Sequence, residues 1–290
     1  MHTDKILCLP LSIFLVSAAV VMMIIAFGIS STLYSSLNTT VISSAYATPL
    51  YRGQKVSSID SNQGNNTITK SSPNIFPNVK TSFVSNTTYP HVDHSAYIHP
   101  SAVLIGDCYI GKKVLVAPFA VCRGDTGIPI YVGDFSNIQD GAIIHAAQTM
   151  KNGTYIDNKR FSQSGERLLA NDTRFSKEGY AVYISGNTTL AHDSLVHGPA
   201  WIGNNTMVGM KSIVFDAKVG NNVVIRLGSI VTGVRIADNK LVPIGSIITN
   251  QTQADKLPSA IGTSSQNLNQ ADLLNSQELA EAYRNEVIKR

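Results

Sequence analysis

The chain has 290 residues, enough for one sizeable core, with only 14 % charged residues and a formal net charge of +4. The charge is scattered, and no basic stripe with interleaved aromatics is present, which excludes a nucleic-acid-binding surface. Such a low charge content points to an uncharged interior scaffold.

Residues 1–47 form a leader. Lys5 precedes an apolar run from Ile6 to Ile29, longer than the about 20 residues that cross a bilayer. Ala45-Tyr46-Ala47 then offers the small-x-small pattern of a secretory cleavage site. The segment reads either as a signal peptide or as an uncleaved membrane anchor, and in both cases the rest of the chain is exported, secreted or held at the cell surface. Asn38, Asn65, Asn86, Asn152, Asn171, Asn187, Asn204 and Asn250 all lie in N-x-[ST] sequons, in keeping with export. Cys8 falls in the leader. Cys108 and Cys122 are expected to point inward as small buried thiols rather than as a disulfide framework.

Residues 48–90 are rich in Ser, Asn, Thr and Pro and read as a linker or irregular arm. Residues 91–258 then show a six-residue period. Ile98, Leu104, Ile110 and Val116 open successive units, with Ala102, Cys108, Val114 and Ala120 at the fifth position. The phase passes through Cys122, continues at Val132, Ile138 and Ile144, breaks at an insertion over 149–180, and resumes at Ile184, Leu190 and Val196. An aliphatic residue every sixth position, with a small one four later, specifies an all-β fold: a left-handed parallel β-helix of triangular section, three hexapeptides per coil. Residues 259–290 change character, and Leu273, Leu274, Ala280, Tyr283 and Val287 predict a helix over 269–289 with Asn269 as N-cap, lying against the prism.

The histidines acquire positions once the faces are counted. With Val132 on the first face, Ile138 is on the second and Ile144 on the third. If the insertion leaves and rejoins at one corner, Ile184, Leu190 and Val196 repeat that order. His145 and His197 then stack on one edge, about 4.8 Å apart, with Arg123 one coil below, while His192 lies on another edge. Two stacked imidazoles can share a metal ion at about 2.0–2.1 Å per nitrogen. Threefold packing of prisms would let a neighbour supply His192, which suggests a homotrimer with metal sites at its interfaces.

The sequence is similar to the γ-class carbonic anhydrases in "CRGD" (Cys122–Asp125), "NIQDGAIIH" (Asn137–His145), the stretch Ala181–Met210 and "QADKLP" (Gln253–Pro258). The resemblance implies a homotrimer that hydrates CO2 to bicarbonate and a proton through a metal-bound hydroxide, with Zn2+, or else Fe2+ or Co2+, held by His145 and His197 of one subunit and His192 of the next. It also implies an intersubunit ion-pair network of Arg123, Asp125 and Asp140, and places Gln139 beside the bound solvent with Asn137 in the pocket. Thr126 and Gln148 stand where the family prototype carries glutamates, and Leu274 and Ser276 fall where it has a pocket tyrosine and asparagine. Gln148 cannot carry a proton, so Glu166, Glu178 or buffer is expected to do so. Two other readings share the prism: a hexapeptide acyltransferase, and a noncatalytic scaffold.

Overall fold

The computed structural model describes residues 74–172 and 179–288. Residues 1–73, with the expected leader and most of the arm, therefore lie outside the described residues, as does Glu178. Among the described residues no helix is long and apolar enough to cross a membrane.

The chain winds into a left-handed parallel β-helix with three sheets as its faces. The first face has seven strands: His91–Val92, Cys108–Ile110, Ile130–Val132, Val182–Ile184, Ala200–Ile202, Lys218–Val219 and Arg235–Ile236. The second also has seven: Tyr97–Ile98, Leu115–Val116, Asn137–Ile138, Thr189–Leu190, Met207–Val208, Val224–Ile225 and Leu241–Val242. The third has eight: Ile75–Phe76, Val103–Gly106, Val121–Gly124, Ile143–Ala146, Leu195–Gly198, Ile213–Phe215, Ile230–Thr232 and Ile247–Ile248. Ile138, Ile144, Ile184, Leu190, Val196 and Ile202 are fully buried, so the six-residue period is the period of the core. Asn205, Asn222 and Asn239 occupy left-handed corner positions that asparagine tolerates well, and their side chains form a hydrogen-bonded ladder of 2.9 and 3.1 Å.

The register across the insertion is the one expected. Val132 pairs with Ile184, Ile138 with Leu190 and Ile144 with Val196, so the chain leaves and rejoins at one corner.

Three expectations are corrected. Cys108 and Cys122 form a disulfide rather than two free thiols, with Cα atoms 6.5 Å apart. One is the fifth residue of its unit and the other an opener, and both line the interior near the same corner of consecutive coils. The described part of the arm is not wholly irregular: Ile75–Phe76 pairs in parallel with Leu104 and Ile105 and covers the open edge of the third face. Asn269 is not an N-cap, because the helix begins at Leu268. It is buried, and its amide donates to the Asn187 carbonyl and the Asn205 side chain, both at 2.9 Å.

The far end of the prism is closed by helix α1 (Gln251–Asp255), whose capping box joins Asn250 and Gln253. Helix α2 (Leu268–Ile288) lies along the second face. Ala280 packs with Tyr97 and Leu115, and Tyr97 stacks on Tyr283 at 5.2 Å. Leu273 is buried, but Leu274 faces solvent. The insertion covers part of the first face: Phe161 packs with Tyr183 and Trp201, the Trp201 indole donates to the Gln163 carbonyl, and Lys218 Nζ donates to the Gly165 carbonyl.

The third face has no such cover among the described residues. Its strands alternate an inward residue with an outward one. The outward column Val121, Ile143, Leu195, Ile213, Ile230 and Ile247 is an apolar ladder, with Ile143 41 % and Ile247 60 % exposed. A contiguous apolar strip of this kind marks a contact surface.

Candidate metal centre

Each coil passes from the second face through a corner onto the third face, and from there onto the first. His192 lies in the corner that enters the third face, and His197 near the corner that leaves it. The bare apolar ladder runs between them.

On the leaving edge, His145 and His197 are register partners on adjacent coils, their rings 5.3 Å apart and nearly perpendicular at 77°. Phe215 stacks on His197 from the next coil at 5.2 Å. Arg123 and Asp125 lie below: Arg123 Nε donates to Asp125 at 3.2 Å, Arg123 Nη2 lies 3.2 Å from His145 Nε2, and Asp125 Oδ1 lies 3.3 Å from the same nitrogen. Burial and the Arg123 charge hold the His145 pKa below the usual imidazole value, with Asp125 opposing them. With its proton on Nδ1, a neutral His145 accepts from Arg123 at Nε2, the lone pair that a metal ion would take over; with its proton on Nε2 it donates to Asp125 instead.

On the entering edge, His192 Nδ1 lies 3.1 Å from Asp140 Oδ2, and the His192 side chain is half exposed. Gln139 and Asn137 sit on the same coil as Asp140. Gln139 is 9 % and Asn137 1 % exposed, because α2 lies over them. Asn137 Nδ2 donates to Ser276 Oγ at 2.7 Å, and Gln139 Nε2 donates to Asp272 Oδ2 at 3.4 Å.

The structure thus gathers the singled-out residues into two groups: Arg123, Asp125, His145 and His197 on one edge, and Asn137, Gln139, Asp140 and His192 on the other. Among the described residues no three His, Cys, Asp or Glu of one chain converge on a metal position. Arg123 pairs with Asp125, whereas Asp140 pairs with His192, so among the described residues nothing links the three into a single network. Glu166 lies in the insertion over the first face, in the electrostatic field of Lys218. Gln148 turns its amide to the Met150 carbonyl, and Thr126 accepts through its carbonyl from Thr149.

The donor chemistry of both edges fits a divalent metal. His197 Nδ1 is 3.0 Å from the Gly198 carbonyl, which fixes the proton on Nδ1 and leaves Nε2 as the lone pair. Asp140 does the same for His192. Imidazole nitrogens of this kind suit Zn2+, Fe2+ and Co2+.

Asp272 is the residue that sequence reasoning passed over. Its only signal was position: Asn269, Asp272 and Ser276 are polar residues interleaved with Leu273 and Ala280 on the inward side of an otherwise ordinary amphipathic helix.

No protein-family model matches the chain. A carbonic anhydrase of Methanosarcina thermophila is 42 % identical over 142 residues, which is 49 % of this chain and 53 % of that protein. The carboxysome assembly protein CcmM of a Nostoc species is 38 % identical over 125 residues, 43 % of this chain and 19 % of that one. The carnitine operon protein CaiE of Escherichia coli K12 is 34 % identical over 127 residues, 44 % and 48 % of the two chains. The match therefore spans about half the length of the first of these relatives, or less. Among solved structures, a hexapeptide transferase family protein from Anaplasma phagocytophilum superimposes with a TM-score of 0.51 at 24 % identity, over 72 % of this chain and 98 % of that one. A Bacillus cereus acetyltransferase-like protein gives 0.52 at 20 % identity, over 73 % and 96 %. At those identities the structural likeness concerns the fold alone. The chain is a hexapeptide-repeat protein of the left-handed β-helix type, similar across about half its length to the γ-class carbonic anhydrases.

Proposed function

We propose that the protein is a metal-dependent carbonic anhydrase that interconverts CO2 and bicarbonate at the interfaces of a homotrimer. The observation that carries this reading is the division of the histidines across the two borders of one bare apolar face. A second copy of the chain would bury that face and bring its His192 to the first copy's His145 and His197, and a threefold arrangement closes the set. The 42 % identical carbonic anhydrase supports the same chemistry.

His145 and His197 of one copy and His192 of the next would hold the divalent cation, which when bound would supply Lewis acidity toward water at neutral pH. The chain's own residues do the rest. The Gly198 carbonyl and Asp140 fix the ring tautomers of His197 and His192. Arg123, held by Asp125, keeps positive charge beside His145 and favours an anionic product. Gln139 and Asn137 present amide oxygens in a buried, low-dielectric seam where a hydrogen bond is strong. With Thr126 and Gln148 at the prototype's glutamate positions, the proton leaves to buffer or to Glu166 or Glu178 of the insertion.

The native metal is Zn2+, Fe2+ or Co2+. The buried disulfide supports an oxidising, exported setting for the enzyme, either secreted or tethered by its leader. The test is CO2 hydration by the metal-loaded protein, with and without chelator, across a buffer series. Chelator-sensitive hydration that rises with buffer concentration supports the proposal. A stoichiometrically metallated trimer without hydration supports the scaffold reading, to which a carboxysome assembly protein among the relatives lends weight.

A further inference from the structure

We infer that Asp272, on the C-terminal helix, is a positioning residue that fixes the Gln139 amide so that only its carbonyl oxygen is offered to a ligand; the inference rests on the function proposed above. A carboxylate only accepts hydrogen bonds, so the end of the Gln139 amide that meets Asp272 Oδ2 at 3.4 Å is the NH2. Gln139 Oε1 is then left buried with no hydrogen-bond partner among the described residues.

The same arrangement recurs two residues earlier. Asn137 Nδ2 donates to Ser276 Oγ, and Asn137 Oδ1 is likewise buried without a partner. Asp272 and Ser276 are one helical turn apart, so a single face of α2 holds both amides by their nitrogen ends. A buried, unpaired amide oxygen is destabilising until a donor reaches it.

The chemistry these oxygens select is a hydroxyl. Bicarbonate carries an O–H that can donate to them, whereas nitrate has the same planar shape and charge but no proton. Asp272 therefore sets a preference for a protonated oxyanion over an aprotic one. Asn137 and Gln139 alone, free to turn their amides over, would accept either.

The test uses the metal-loaded full chain and compares wild type with Asp272→Ala and Asp272→Asn. Calorimetry reads the affinities for bicarbonate and for nitrate at pH 8, and glutamine-selective 15N labelling reads the Gln139 side-chain amide. Asp272→Ala is expected to weaken bicarbonate about fivefold to tenfold, the value of one hydrogen bond, and to leave nitrate as tight or tighter, because the freed amide can turn its NH2 toward it. Asp272→Asn keeps a carbonyl acceptor toward Gln139 and is expected to stay within about twofold of wild type. Equal losses in Ala and Asn, a parallel loss of nitrate, or no loss at all would overturn the inference. If wild type neither hydrates CO2 nor binds bicarbonate, the proposed function fails, and the amide signal decides alone: displaced in Ala but retained in Asn supports the positioning role, and unmoved in both refutes it.

Discussion

His145 and His197 are in register on neighbouring coils, ring centres 5.3 Å apart, while His192 stands at the opposite border of the same face. One chain cannot close this set, and that predicts complementation. His192→Ala and His197→Ala should each abolish metal binding as pure proteins. Co-refolded in equal amounts, they should regain metal at about one quarter of interfaces, those where an intact entering edge meets an intact leaving edge. Metal analysis of the mixture checks this, and no recovery would mean that each site lies within one subunit.

Acidity should strip the metal. The His145 pKa is lowered, by burial first and by Arg123 second, so the folded chain favours the neutral ring that ligates. The sign follows: the neutral-state advantage is complete above the ordinary histidine value of about 6.5 and is lost as pH falls through the lowered folded value. Dialysis at stepped pH should show full retention at pH 7 and release below about 6. Arg123→Leu removes a charge that lowers the pKa and should move release to higher pH. Release at an unchanged or lower pH in that variant would contradict the role given to Arg123.

The third face should decide assembly. Ile143→Asp puts a carboxylate into the middle of the apolar ladder while Ile144 remains in the core. Light scattering should report a folded monomer, with a melting temperature lowered toward that of the metal-free wild type, and metal should be lost although no ligand was altered. A metallated trimer in this variant would place the interface on another face.

The disulfide should be worth keeping. Cys108 and Cys122 are 14 residues apart, and a loop of that size stabilises by about 2–4 kcal/mol. Replacing both by Ala should lower chemical-denaturation stability by that amount, with the trimer intact. An unchanged midpoint would count against the bond.

The period-six pattern was legible because each inward aliphatic meets only its neighbour one coil away, so sequence spacing maps directly onto space. The face count survived a long insertion for the same reason: a chain that re-enters at its own corner preserves phase. Other features depended on contacts that spacing does not encode. The pairing of Cys108 with Cys122 links an opener to a fifth-position residue across a corner, and either residue alone looks like an ordinary small core side chain. Gln139 and Asp272 are separated by 133 positions and meet only because α2 docks on the second face. Asn269 reads as a cap by residue type, but the demand for a donor to Asn187 and Asn205 overrides that preference. The strand Ile75–Phe76 carries no repeat at all, and pairs because an open strand edge offers it hydrogen bonds.

Helix α1 closes one end of the prism, and at the other the strand Ile75–Phe76 lengthens the third face by one coil. A solenoid with raw ends could add coils from another molecule indefinitely and grow into a fibre. A helix across one end disfavours such growth and leaves the sideways route, and sideways contacts related by rotation close after a fixed number of copies.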